Sequence, residues 1–141
     1  MKYIAQREDW DCAVAGLAMA TDRGYDYCRT ILEPLAFQRE GKLTGLNEEH
    51  IVDFLANHGY AYQKRSNMLL AEGGKLVKRN WWPLQPWAPM HVAQVEATAG
   101  WHFVAMDAAG VVHDPFNEKR HTLTHEDYKR VAWIMGIWKV S

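Results

Sequence analysis

Cysteine is scarce in this chain: Cys12 and Cys28 are the two present in 141 residues. Two thiols cannot build the cross-linked framework on which small secreted domains depend, and the N-terminus carries no apolar run of signal-peptide type. A reducing, cytoplasmic setting is expected. Neither sign of charge predominates, with 16 Lys and Arg against 17 Asp and Glu and a net charge of −1. That balance excludes a broad electrostatic grip on nucleic acid or an anionic bilayer, both of which call for a clear basic excess. Long apolar runs are missing too, and a membrane-spanning helix needs about 20 such residues in a row. No membrane partner is expected, and neither repeats nor low-complexity tracts interrupt the pattern. What is there suits one domain over residues 1–141, long enough to bury roughly two-thirds of its unfolded surface without disulfide or metal.

The most informative stretch is residues 6–20, QREDWDCAVAGLAMA, in which a cysteine opens a run of small apolar residues behind a cluster of acids. Asp9 and Asp11 are placed to supply the N-cap of a helix over residues 12–20, ended by Gly24. A thiol at such a start sits among unpaired N–H groups at the positive end of the dipole, where ionisation is easier than in open solution. The alternative for Cys12 is plain packing, as for many cysteines among small apolar neighbours. Ala13, Gly16, Leu17 and Ala20 share a face small enough for close approach of another backbone. Residues 26–33 predict a second short helix halted by Pro34, with Cys28 packed inward. Residues 37–45 read as a polar connection. Residues 46–59 carry cap, first-turn acids and terminal glycine for a third helix, with His58 facing the C-terminal dipole.

Strand signals follow. Residues 60–62 are short and aromatic, residues 90–96 and 101–107 are rich in β-branched and aromatic side chains, and residues 131–140 predict a last strand broken by Gly136. A capped short helix is expected over residues 124–130. This segregation predicts an α+β domain, with a helical half over residues 1–59 packed on a mainly antiparallel sheet half over residues 60–141. Between them, residues 75–87 bring Lys75, Trp81, Trp82 and Trp87 together with prolines. Two readings stand for this patch: a surface for peptide or single-stranded nucleic acid, or a proline-stiffened loop whose tryptophans cover the core. Gly73 and Gly74 read as a turn.

A nucleophilic thiol needs a base, and the base needs an orienting group. Residues 101–115, WHFVAMDAAGVVHDP, hold candidates for both on one hairpin. Should Ala108, Ala109 and Gly110 form a three-residue loop with Gly110 left-handed, Asp107 pairs with Val111 and Val104 lies opposite Asp114. His102 and Asp114 are then diagonal neighbours on one face, close enough for the carboxylate to hold one imidazole nitrogen. A two-residue turn shifts the register by one and brings His113 to that face instead. For an oxyanion, Gln6 and the backbone N–H of Cys12 are the candidate donors, with an exposed surface role as the alternative for Gln6.

Gln6 and Cys12, then Trp101-His102-Phe103-Val104, then His113-Asp114-Pro115 follow the order Gln, Cys, His, Asp. In this the chain resembles the papain-like cysteine peptidases that process bacteriocin and peptide-pheromone leaders after a double glycine. The resemblance implies a papain-like fold and a Cys12, His102, Asp114 triad with Gln6 at the oxyanion. It further implies a peptide or protein substrate, with no cofactor and no metal. The closing segment, residues 123–136, is similar to that family's last helix and strand. Ala13 stands where the family commonly has glycine, and the transporter segments that often follow its peptidase are not seen, so a stand-alone relative is expected. Ala13 and residues 60–89, which match no part of the family, motivate an alternative: a protein-binding module, such as a partner inhibitor, on a peptidase fold. A zinc site drawing on His121 and His125 lacks an accompanying cysteine.

Overall fold

Ten residues without a charged side chain, Cys12–Thr21, form helix α1. Every residue from Ala13 to Thr21 is buried, so the helix is apolar all round rather than on one face, as befits an element enclosed by the domain. Gly16 faces the sheet, where an added Cβ would make ordinary contact, 3.9 Å from the Val104 carbonyl carbon. Asp22, not Gly24, ends α1 by taking the left-handed conformation at φ 55°, which aspartate tolerates better than most side chains. Helix α2, Tyr25–Leu32, follows and gives way to a 3-10 turn, Glu33–Leu35, containing Pro34. The computed structural model describes residues 1–72, 75–78, 86–119, 122–123 and 125–140.

The expected polar connection is a hairpin of β1, Phe37–Arg39, and β2, Lys42–Gly45. Its turn, rather than any buried face, makes it: Glu40 and Gly41 both have positive φ, at 54° and 78°, the geometry that matches strand twist in a two-residue hairpin. Helix α3, Glu48–Asn57, starts at a reciprocal cap in which the Asn47 and His50 side chains each accept the other's backbone N–H at 3.1 Å. His58 closes it with Nδ1 at 2.6 Å from the Phe54 carbonyl.

The sheet half comprises β3, Tyr60–Glu72, β4, Lys75–Lys78, β5, Met90–Ala97, β6, Gly100–Asp107, β7, Val112–His113, and β8, Tyr128–Lys139. They form one antiparallel sheet in the order β4-β3-β8-β5-β6-β7. The domain is therefore α+β. Strand β3 is far longer than its aromatic start, because its polar middle is held by pairing with β8, from Tyr60 opposite Lys139 to Leu69 opposite Val131. The helix expected over residues 124–130 is absent among the described residues. Residues 125–127 form a turn, and Tyr128 pairs with Ala97 at the start of β8. Burial of Tyr128 outweighs the local capping signal. Gly136 does not break β8; it makes room for Trp87, whose Nε1 would lie 2.5 Å from an added Cβ.

Side-chain alternation gives the sheet two cores. On one face Val92, Phe103, Ala105, Trp133, Met135 and Ile137 meet the helices. On the other, Ala93, Val95, Val104, Met106, Val131 and Ile134 pack with Tyr128 and Leu123. Burying one such Val, Leu or Ile side chain contributes about 1.5–3 kcal/mol. His91, wholly buried, is held between the Ala88 N–H and the Met106 carbonyl, each at 3.3 Å, and burial keeps its pKa below the ordinary histidine value. The expectations for Gly73, Gly74, Trp81, Trp82, His121 and Thr124 lie outside the described residues, as does most of the patch over residues 75–87. Among the described residues no helix is long and apolar enough to cross a membrane, and no three potential ligands gather for a metal ion.

Candidate active site

Cys12 is the first residue of α1 and is half-buried. Asp11 holds the N-cap position, yet neither it nor Asp9 caps the helix as expected: no side-chain hydrogen bond is made to the first turn. The Asp11 carboxylate is wholly buried and turns back, accepting the backbone N–H of Arg7 at 3.2 Å and of Glu8 at 3.0 Å. Tyr25 O–H donates to it as well. A buried carboxylate is tolerated only when its lone pairs are met, and here meeting them shapes the loop that precedes the thiol. Burial, with the Asp11 hydrogen bond, pushes the Tyr25 hydroxyl up to about 12. Arg29 braces the same loop from α2, reaching Tyr25 Oη at 3.2 Å and Glu8 Oε2 at 2.7 Å.

The second half of the site comes from the β6–β7 hairpin. Gly110 has φ 84°, and Asp107 N–H donates to the Val111 carbonyl at 3.1 Å. The Asp107 carboxylate stiffens the loop by accepting Ala109 N–H at 2.9 Å and Val111 N–H at 3.0 Å. Ala105 therefore pairs with His113 and Met106 with Val112, the register expected from a three-residue loop with a glycine bulge. His113 is turned to Asp107, with Nε2 3.3 Å from Oδ2. Asp114 instead reaches His102, Oδ1 to Nε2, at 2.6 Å.

Asp114 is wholly buried and fully engaged. Its Oδ1 also accepts Phe116 N–H at 2.8 Å, its Oδ2 accepts Tyr128 O–H at 2.5 Å, and its carbonyl accepts Tyr3 O–H at 2.7 Å. Burial alone raises the carboxyl pKa, but His102, Tyr128 and Phe116 N–H outweigh it and hold the group ionised below its ordinary range. His102 shows the converse. Burial lowers its pKa, while the hydrogen bond to Asp114, joined by the influence of the nearby Cys12 thiol, lifts it to about 9. With Nε2 on the carboxylate, Nδ1 is the ring nitrogen left for the thiol.

Gln6 is tied to the same region, its N–H donating to the Pro115 carbonyl at 3.0 Å. Its amide donates to the Glu8 carbonyl at 2.9 Å, leaving a second amide proton, and its buried Oε1 has no partner among the described residues. Gln6, Asp9, Cys12, Trp101, His102 and Phe116 line one pocket of about 240 Å³. The fold thus brings together the four residues singled out in the sequence. It adds Tyr128 and Tyr3 on Asp114, the reversed Asp11, and the aromatic walls Trp101 and Phe116. No local signal marked Tyr128, because its role depends on β8 pairing with β5, the strand next to the hairpin. Cys28 stays apart and fully buried, with its thiol pushed up to about 12 by burial. The arrangement is able to pass a proton from a thiol to an imidazole whose orientation a buried carboxylate fixes. No protein-family model matches the chain, and no curated protein sequence matches it.

Proposed function

We propose that this chain is a cysteine peptidase on a papain-like fold, hydrolysing a peptide or isopeptide bond. The observation that carries the reading is the His102 imidazole held at Nε2 by buried Asp114, 2.6 Å away, while the same ring lines one pocket with the Cys12 thiol. His102 takes the Cys12 proton, and the thiolate attacks the carbonyl carbon. Negative charge gathers on the carbonyl oxygen, where the Cys12 backbone N–H and the free amide proton of Gln6 are the donors. The carbon–nitrogen bond then breaks, and the imidazolium gives its proton to the leaving amine. Water, deprotonated by His102, attacks the thioester carbonyl, the carbon–sulfur bond breaks, and the thiol is restored. Asp114 fixes the tautomer and steadies the imidazolium throughout. No cofactor takes part, and two free thiols fit a reducing, cytoplasmic setting.

The test combines turnover on fluorogenic peptides with thiol labelling followed by mass spectrometry. Cys12→Ala and His102→Ala abolish cleavage, whereas Asp114→Ala and Gln6→Ala each cost on the order of 10²-fold or more. Iodoacetamide near neutral pH modifies Cys12 far faster than buried Cys28. Cleavage retained in Cys12→Ala, or equally slow labelling of both thiols, overturns the peptidase reading and favours a protein-binding role.

A further inference from the structure

Three acids stand in the loop before the thiol, and two of them are occupied. Glu8 is paired with Arg29 at 2.7 Å and accepts Trp10 Nε1–H at 3.1 Å. Asp11 is buried and accepts Arg7 N–H, Glu8 N–H and Tyr25 O–H. Asp9 is exposed and makes no hydrogen bond or ion pair among the described residues, yet it lines the same pocket as Cys12. A free carboxylate beside a reacting thiol calls for a reason, since its charge opposes formation of a second anion nearby.

The rest of the pocket supplies one. Trp101 and Phe116 flank it with large exposed rings, 48% and 59% accessible, and Ala97, Ala99 and Gly100 leave room between them. Trp101 already carries one cation, the Arg130 guanidinium 4.9 Å from its ring centroid, and that cation is neutralised by Glu96 at 3.3 Å. Aromatic rings accept the stem and the charge of a long basic side chain, and a free carboxylate anchors its end. An acidic side chain is repelled there, and an aliphatic one leaves Asp9 unmet. A volume of about 240 Å³ suits one large side chain rather than a folded segment.

We infer that the pocket beside Cys12 receives a lysine or arginine side chain of the substrate, next to the bond to be cleaved, with Asp9 as the residue that selects it. This rests on the peptidase reading, and the test separates the two. Labelling of Cys12 by a cationic and an anionic methanethiosulfonate of equal length reads the pocket's charge preference without any substrate. Asp9→Asn lowers the cation-to-anion rate ratio about fivefold or more, whereas Glu49→Gln, a charge removed from α3 outside the pocket, leaves it in place. Peptides differing only beside the scissile bond are cleaved with kcat/KM about tenfold higher for arginine or lysine than for norleucine, and glutamate is poorest. Asp9→Asn erases that preference, and Asp9→Lys turns it toward glutamate. A labelling ratio unmoved by Asp9→Asn overturns the cation site. Cleavage indifferent to charge does the same while leaving the peptidase reading intact. Absence of Cys12-dependent cleavage, with the labelling ratio still governed by Asp9, removes the peptidase reading and keeps a cation-selective pocket.

Discussion

Replacing Asp114 by asparagine removes one buried charge and almost no volume, so its effect on His102 is electrostatic rather than steric. Burial by itself pushes the imidazole below its ordinary 6.5, and the value of about 9 in the folded protein exists because Asp114, joined by Cys12, more than offsets that burial. Moving a pKa from 6.5 to about 9 corresponds to about 3 kcal/mol of preference for the charged ring. The folded value is the raised one. The stability it contributes is therefore present in full below pH 6.5 and is lost as pH rises through about 9. Asp114 has the opposite sign: its folded pKa is depressed, so its contribution is present above 3.8 and disappears as pH falls through the lower folded value. Asp114→Asn should thus be less stable than the natural chain by about 3 kcal/mol near pH ~6, with a smaller gap near pH ~10. Urea unfolding at the two pH values measures the gap, and an NMR titration of the His102 ring follows the pKa directly. A ring that still titrates near 9 in the variant, or a gap equal at both pH values, refutes the coupling on which the proposed mechanism depends.

Tyr128→Phe removes the O–H that donates to Asp114 Oδ2; a buried carboxylate loses one charge-assisted hydrogen bond, and urea unfolding should show a loss of about 1.5–3 kcal/mol. Asp11→Asn weakens the acceptor that gathers Arg7 N–H and Glu8 N–H. Amide hydrogen exchange at those two positions should quicken while α3 keeps its protection, with a stability loss of about 1–3 kcal/mol. Gly136→Ala places a methyl group 2.5 Å from Trp87 Nε1 and 2.9 Å from Ala88 Cβ, so thermal unfolding should report a cost of about 1–3 kcal/mol.

Local chemistry made several parts of this fold legible in advance. Asn47 and Gly59 bound α3 because a cap and a left-handed residue act within one turn of chain. Gly110 set the β6–β7 register for the same reason, and with it the meeting of His102 and Asp114. Where partners lie far off in sequence, the pattern misled. The polar middle of β3 carries no strand signal until β8 lies beside it, and the helix signal over residues 124–130 is overruled where β5 pairs with Tyr128 and Arg130.

The Cys12 stretch shows the same division at the scale of one site. By itself the sequence determined that a thiol begins an apolar helix and narrowed the hairpin to two registers, one of which, with a glycine bulge, puts a histidine and an aspartate on one face. Both follow from interactions between residues a few positions apart. Only the tertiary structure decided that Cys12 and His102, 90 positions apart in sequence, line one pocket. It also decided that Tyr128 closes over Asp114, and that Asp11 abandons its helix cap to hold the loop carrying Gln6 and Asp9. A buried carboxylate takes whatever donors the packed chain brings to it, and which donors those are is settled by the whole fold.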